Sequence, residues 1–133
     1  MSTAANFEGI KVVIIDEYKT IRRTAETLLK KAGCQVVTAR DGFEGLSRIM
    51  EFQPNIIFVT IIMPRLNGYQ TCILIRSNQA FKPIPVIILS SCDGLVARIL
   101  SKIMGATHYM TLPFTRQELL DVIKSYVVDV KKS

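Results

Sequence analysis

The sequence predicts an α/β fold: a doubly wound, five-stranded parallel sheet with five helices in a single domain of 133 residues. Short apolar runs rich in β-branched residues recur along the chain, as expected for strands covered on both faces. Segments of helical periodicity alternate with these runs, and each spacing suits a right-handed βαβ crossover. No linker, repeat or low-complexity segment interrupts the alternation. We therefore expect one domain over 1–133, with its core at 10–128 and short tails at both ends.

Five apolar runs are predicted as strands. The first is almost continuously apolar and precedes an acidic DEYKT segment, and the third runs into a loop rich in Pro, Asn and Gly. In chain order the predicted strands are IKVVII (10–15), CQVVTA (34–39), NIIFVT (55–60), PVIILS (85–90) and THYMT (107–111).

Helical periodicity predicts one helix after each strand. The first has Ile21, Ala25 and Leu29 on one face and ends at Gly33, a typical C-terminal signal. The others are expected after Asp41, at 69–78, at 95–104 and near the end of the chain. The expected inward residues are Phe43, Leu46, Ile49 and Met50 in the second helix, and Leu119, Leu120, Ile123, Tyr126 and Val127 in the last. This order of elements is typical of the flavodoxin-like class.

The composition excludes several classes of protein. No apolar run is long enough to span a bilayer, and the first residues lack the pattern of a signal peptide. A cytoplasmic protein without membrane insertion is therefore expected. The three cysteines are scattered and His108 is the single histidine, which argues against a disulfide framework and a Cys/His metal site.

The net charge of +6 raises the question of nucleic-acid binding. The basic residues are dispersed, with Arg76 among them, and no aromatic residues are interleaved with them. They are expected to lie on solvated helix faces. Nucleic acid is therefore not the expected partner, although DNA binding driven by charge stays open as an alternative.

In this fold class the working site lies at the carboxyl ends of the central strands. Asp16 and Glu17 follow the first predicted strand, Thr60 ends the third, and Ser90 ends the fourth. Two adjacent carboxylates suit Mg²⁺; alternatively, Asp16 caps the next helix and Glu17 is only solvated. No Gly-rich phosphate loop follows the first strand, so neither a nucleotide cofactor nor a small-molecule substrate is expected.

Four motifs resemble the receiver domains of two-component response regulators. They are VIIDE (13–17), IIMPRLNGYQ (61–70), PVIILSS (85–91) and MTLPF (110–114). The resemblance covers 10–128, and the stretches 19–46 and 54–72 are similar to the stand-alone PilG-type receivers of type IV pilus, or twitching-motility, chemosensory systems. It implies a CheY-like fold and a role in phosphorelay signal transduction.

The resemblance also implies roles for individual residues. The acidic pair that holds Mg²⁺ in receivers corresponds to Asp16 and Glu17. Ser90 corresponds to the switch hydroxyl, and Tyr109 to the aromatic residue whose rotamer reports the signalling state. Pro113 is expected to follow a cis peptide bond.

Two residues depart from the receiver pattern. Thr60 stands where receivers carry the phospho-accepting aspartate, and Leu112 where they carry the lysine that pairs with the phosphoryl group. A threonine hydroxyl is not ionised at neutral pH and cannot form an acyl phosphate, while leucine cannot carry charge. Losing both partners of an ion pair is milder than losing one. We therefore expect a pseudo-receiver that is not an enzyme, needs no cofactor and binds Mg²⁺ weakly or not at all.

Output is expected through protein partners. The resemblance implies docking through the face formed by helix 4, strand 5 and helix 5, since no output domain follows residue 128 in this sequence. The fourth helix carries an apolar sector that is either partly exposed or all core: Leu95, Val96, Ile99, Leu100, Ile103 and Met104. The alternative function is phosphoryl acceptance on a substitute carboxylate, Asp16 or Asp93.

Overall fold

The computed structural model describes residues 7–92 and 94–128, and it confirms the predicted fold class. Five parallel strands form one sheet in the order β2-β1-β3-β4-β5. The strands are β1 (Lys11–Ile15), β2 (Gln35–Ala39), β3 (Ile56–Thr60), β4 (Val86–Ser90) and β5 (His108–Thr111). Each begins one residue later than its predicted run. At the first strand the reason is visible: Ile10 is fully buried, but its N–H donates to the Phe7 carbonyl and not to the sheet.

Five α-helices connect and follow the strands. They are α1 (Lys19–Lys31), α2 (Gly42–Phe52), α3 (Gly68–Ser77), α4 (Leu95–Ile103) and α5 (Arg116–Ile123). The last helix passes into a π-helical turn, Lys124–Val128, where the sequence predicted a continuous α-helix. No helix in the described part of the chain is both long and apolar enough to cross a membrane.

The helices form a layer on each face of the sheet. On one face, Leu29 of α1 and Ile123 of α5 share a buried cluster with Ile14 and Phe58 from the strands. On the other face, α2 and α3 contribute to a second cluster, and α4 packs against it through Ala97. The sheet is therefore covered on both sides, which explains the apolar strand sequences.

The chain order reverses at β1. This strand pairs with β2 on one side and with β3 on the other, and Ile15 lies beside Val59 at the carboxyl end. Thr60 lies beside Leu89 of β4. A crevice opens at such a reversal in doubly wound sheets. The register therefore brings the residues that follow β1 and β3 to the same edge.

The predicted inward face of α2 is partly wrong. Phe43 and Met50 are exposed, whereas Ile49 is fully buried. The helix contacts the sheet through Gly45, where a Cβ atom would overlap the Ile15 side chain. The helix backbone therefore lies directly against the sheet at Gly45. The large side chains of Phe43 and Met50, which lie to either side of this contact, are exposed to solvent.

Arg76 is not on a solvated helix face, contrary to the prediction. Its guanidinium donates to the carbonyl oxygens of Gly105 (2.6 Å), Ile84 (2.7 Å) and Lys82 (2.9 Å), and to Thr107 Oγ1 (3.0 Å). Hydrogen bonds from a charged donor are stronger than neutral ones. Arg76 therefore ties α3 to the segments that precede β4 and β5.

Asp41 is the N-cap of α2, and it carries the first testable prediction. One carboxylate oxygen accepts from the Glu44 N–H (2.8 Å), and the other accepts from Arg65 (2.8 Å). Replacing Asp41 with Ala should lower the free energy of unfolding by about 1 kcal/mol, and Asp41→Asn should cost less because Asn also caps helices. Urea denaturation at pH 7 measures both.

The same residue should make stability depend on pH. The backbone N–H of Glu44 is the main cause of a lowered pKa at Asp41, and Arg65 adds to it. A lowered folded-state pKa stabilises the protein above the unfolded value of about 4, and this contribution is lost as the pH falls through the folded pKa. The difference in free energy of unfolding between the native protein and Asp41→Asn should therefore be smaller at pH 3 than at pH 7. A difference that is the same at both pH values would contradict the assignment.

Candidate functional site

A cavity of about 400 Å³ opens at the carboxyl edge of the sheet. Asp16 after β1, Thr60 at the end of β3, Ser90 at the end of β4, and Leu112 and Pro113 after β5 all line it. Five of the residues singled out in the sequence are therefore brought together. Glu17 and Tyr109 do not line the cavity: Glu17 is exposed, and Tyr109 is buried in the core beside it.

Asp16 is fully buried at this edge. Its Oδ1 accepts from the Tyr18 N–H (2.8 Å), which closes a turn before α1, and its Oδ2 has no hydrogen-bond partner. The side chain does not cap α1, whose N-cap residue is Tyr18. Burial raises the pKa of the Asp16 carboxyl, although the Tyr18 N–H and the nearby charge of Arg22 oppose the shift.

Arg22 approaches Asp16 from α1 but binds its backbone. The guanidinium Nη1 donates to the carbonyl oxygens of Asp16 (2.6 Å) and Glu17 (2.9 Å). These bonds hold the β1–α1 loop against the helix. They do not involve the Asp16 carboxylate, whose Oδ2 has no hydrogen-bond partner.

The donor set fits a divalent cation poorly. Mg²⁺ in proteins is held by carboxylates and carbonyl oxygens with several waters. In the described part of the chain, no three His, Cys, Asp or Glu side chains lie close enough together to hold a metal ion. Of the acidic residues that the structure describes, Asp16 alone lines the cavity, and Glu17 is exposed outside its lining.

Thr60 is also buried, with 7% of its surface exposed, and its Oγ1 has no hydrogen-bond partner. The loop that follows folds tightly over it. The Gly68 N–H donates to the Ile61 carbonyl (2.8 Å), and a Cβ atom at Gly68 would overlap the Thr60 carbonyl oxygen. This close approach explains why glycine ends the MPRLNG turn and begins α3.

Ser90 and Tyr109 both contact the backbone of Cys92. Ser90 Oγ accepts from the Cys92 N–H (3.0 Å), and the Tyr109 hydroxyl donates to the Cys92 carbonyl. Arg98 of α4 lies over the Tyr109 ring, 4.9 Å from its centroid. A single loop residue therefore joins the cavity wall to β5 and α4. The Cys92 side chain takes no part in these two hydrogen bonds, which use its backbone N–H and carbonyl.

The segment after β5 closes the other side of the cavity. The Leu112–Pro113 peptide bond is cis, and the Leu112 N–H donates to the Ser90 carbonyl (2.8 Å). Leu112 and Phe114 also pack against the core beneath α1 and α5. The sequence analysis named Leu112 and Pro113 as residues of the site, but it did not assign Phe114 to the cavity wall.

The unpartnered Thr60 hydroxyl leads to the second prediction. A buried polar group without a partner costs about 1–3 kcal/mol. Thr60→Val should therefore raise the free energy of unfolding by about 1 kcal/mol, as measured by urea denaturation. Thr71→Val is the matched control: Thr71 is fully buried too, but its hydroxyl donates to the Asn67 carbonyl (2.8 Å), so its loss should destabilise by about 1 kcal/mol. Equal losses in both variants would show that Thr60 is satisfied.

Comparisons with known proteins place this site in a family context. The response regulator receiver domain model matches residues 12–124. The chain is 59% identical over 120 residues to Protein PilG of Pseudomonas aeruginosa, covering 90% of this chain and 89% of that protein. It is 36% identical to a probable transcriptional regulator, ycf27, of Cyanophora paradoxa, but there it covers only 47% of the relative.

A solved structure shows the same architecture. The chemotaxis protein CheY4 of Vibrio cholerae superimposes with a TM-score of 0.86 at 26% identity, covering 90% of this chain and 99% of that one. The family match, the identity to PilG and the shared fold all cover the strands that build the cavity. The chain therefore belongs to the family of response regulator receiver domains.

Proposed function

We propose that this receiver acts by docking to protein partners in a type IV pilus, or twitching-motility, pathway in the cytoplasm, without aspartyl phosphorylation. The observation that carries the proposal is Thr60, which occupies the end of β3 where receivers carry the phospho-accepting aspartate. The identity to PilG supports the choice of pathway.

The chemistry at the end of β3 supports the absence of phosphorylation. Acceptance of a phosphoryl group needs an ionised nucleophile together with positive charge to neutralise the incoming oxygens. The Thr60 hydroxyl is neutral at pH 7, and no hydrogen bond from it to a base is present. It cannot form the acyl phosphate of receiver signalling.

Leu112 supports the same conclusion from the other side of the cavity. It lines the cavity at the position of the receiver lysine, and it adds apolar surface where a receiver places a positive charge. Among the described residues only one acidic side chain lines the cavity and no cluster of metal ligands is present, which also argues against tight Mg²⁺ binding. We therefore propose a module that needs no cofactor.

The fourth helix supports a docking role. Of its residues only Ser101 is buried, whereas Leu95, Val96 and Ile103 are about 70% exposed and Ile99 and Leu100 less so. Of the two alternatives for this sector, partial exposure is therefore the one that the structure supports. Contiguous apolar surface of this kind marks interaction sites. We propose the α4–β5–α5 face as the partner surface.

A second candidate function keeps phosphoryl chemistry on a substitute carboxylate. Asp16 favours it, because its Oδ2 is unpartnered and Asp16 lines the cavity. Asp93, the other candidate, lies outside the described residues. We place this function second because burial raises the pKa of Asp16 and because no lysine among the described residues lines the cavity.

The third prediction tests phosphorylation directly. After incubation with acetyl phosphate and Mg²⁺, intact-mass spectrometry should show no phosphoryl adduct on the native protein. The double variant Thr60→Asp/Leu112→Lys restores both receiver residues and should gain a base-labile adduct, since a carboxylate nucleophile and its cation are present again.

The same experiment separates the two candidates. An adduct on the native protein that disappears in Asp16→Asn would overturn the leading proposal in favour of the substitute carboxylate. An adduct that survives Asp16→Asn would point to another acceptor. It would contradict both the leading proposal and the assignment of the phosphoryl group to Asp16.

The fourth prediction tests the docking face in the source organism. Ile99→Ser/Ile103→Ser should abolish twitching, because burying an exposed isoleucine contributes about 1.5–3 kcal/mol and two lost side chains weaken binding about 100-fold or more. The control is Ile73→Ser/Leu74→Ser, which removes two exposed apolar residues from α3. Twitching-zone diameter is the readout, with protein levels compared by immunoblot. An equal loss of twitching in both variants would contradict docking through the α4–β5–α5 face. Wild-type motility in both would also contradict the proposed role in twitching motility.

A further inference from the structure

The cavity at the carboxyl edge combines apolar walls with two unsatisfied buried oxygens. Leu89, Leu112 and Phe114 supply apolar wall surface, and Ile21 of α1 completes it. At about 400 Å³ the cavity lies near the lower end of the volumes of small-molecule sites. Such sites have mainly apolar linings with a few well-placed polar groups, which is the arrangement seen here.

The two oxygens are Asp16 Oδ2 and Thr60 Oγ1. Each belongs to a residue at least nine-tenths buried that lines the cavity, and neither has a hydrogen-bond partner. A buried carboxylate oxygen accepts hydrogen bonds, and a threonine hydroxyl accepts as well. Two unpaired acceptors therefore lie buried at the sheet edge, in residues that line the cavity.

When it is ionised, the Asp16 carboxyl carries a negative charge that no salt bridge between described residues balances. Arg22 Nη1 donates to the backbone carbonyls of Asp16 and Glu17, and the Leu112 side chain is uncharged. A ligand that carries a positive charge and hydrogen-bond donors would match this environment.

We propose that the cavity binds a small organic amine, with a primary ammonium group on Asp16 Oδ2 and Thr60 Oγ1 and a short apolar tail against Leu112 and Phe114. An ammonium group has three donors, enough for both oxygens. Its charge suits the Asp16 carboxylate, and its tail suits the walls. The proposed role is that of an effector site, at which the ligand binds and is not transformed.

Other occupants match less well. A carboxylate or phosphate ligand would face the Asp16 charge without a cation to receive it. A neutral hydrocarbon would leave two buried acceptors unpaired, which is costly. Mg²⁺ would meet a single carboxylate among the described residues of the lining, and it gains nothing from apolar walls.

The position of the site suggests how binding reaches the docking surface. Ser90 lines the cavity and is linked to Tyr109 through the backbone of Cys92. Tyr109 in turn lies beneath Arg98 of α4. A ligand that shifts Ser90 would therefore act on α4 through Cys92 and Tyr109. The inference goes beyond the proposed function and does not rest on it, since it needs only the cavity and its two oxygens.

The probes are hexylamine, hexan-1-ol and hexanoate, titrated into the ¹⁵N-labelled native protein at pH 7.5 and followed by amide chemical shifts. Hexylamine should bind saturably, with a dissociation constant on the order of 1 mM or below for a ligand of this size. Hexan-1-ol should bind about tenfold or more weakly, because it lacks the charge, and hexanoate should not bind. The shifted amides should include those of Thr60, Ser90 and Leu112.

Three variants assign the binding to the cavity. Asp16→Asn should weaken hexylamine binding about tenfold or more, since it removes the charge and keeps the shape. Leu112→Lys should abolish binding, because its own ammonium group would reach the same carboxylate. Leu112→Met keeps an apolar wall of similar size and should bind as the native protein does.

Asp121→Asn, on the exposed surface of α5, is the matched control for the loss of a carboxylate and should leave binding unchanged. If Asp16→Asn fails to fold, as judged by thermal denaturation, the contrast between Leu112→Lys and Leu112→Met still tests the site. Equal binding of hexan-1-ol and hexylamine would overturn the amine assignment. No saturable shifts, unchanged binding in Leu112→Lys, or Mg²⁺ binding that excludes hexylamine would overturn the site itself. None of these results depends on whether acetyl phosphate labels the protein.

Discussion

The complete burial of the central strands is the constraint on which the rest of the structure depends. Every residue of β3 is buried, as are all residues of β1 after Lys11 and all residues of β4 before Ser90. Buried backbone groups must form hydrogen bonds, so these segments pair with one another in a sheet. Both faces then need helices to cover them, and the helical crossovers carry each loop to one edge. Thr60 and Ser90 are the last residues of β3 and β4, and Asp16 directly follows β1, so all three lie at this edge and line the cavity.

At that edge the rule that buried polar groups are paired is broken twice, at Asp16 Oδ2 and Thr60 Oγ1. Local violations of this kind are expected where function and stability compete. The family match is the reason for proposing a site here, since the receiver resemblance implies that the working residues lie at this edge. The apolar walls and the missing lysine explain why this receiver is proposed to do something else with it. The loop residue Cys92 then gives both proposals a common route to α4, through Ser90 on one side and Tyr109 on the other.

Hydrophobic periodicity was a good guide to the position of the helices. In α1 and α5 it also identified the buried side, since Ala25, Leu29 and Ile123 are buried as predicted. In α2 and α4 it was a poorer guide. In α4 the large apolar residues face solvent, while Ala97 packs against the core and Ser101 is buried. In α2 the contact runs through Gly45, and Phe43 is exposed. In both helices small residues allow close packing. A pattern that counts apolar residues gives most weight to the large ones, so it placed Phe43 and Met50 inward and left the exposure of α4 open.

The amino-acid sequence alone determined the number, order and type of the elements, and with them the edge at which Asp16, Thr60 and Ser90 meet. Strand burial and chain connectivity are sufficient for this, because consecutive βαβ units can close in only one hand. Tertiary structure decided which hydrogen bonds these residues make, where Arg76 binds, and that Leu112, Phe114 and Ile21 form the walls of one cavity. These properties depend on distances between elements far apart in the chain. Such distances are set by side-chain packing across the sheet, which no local pattern records.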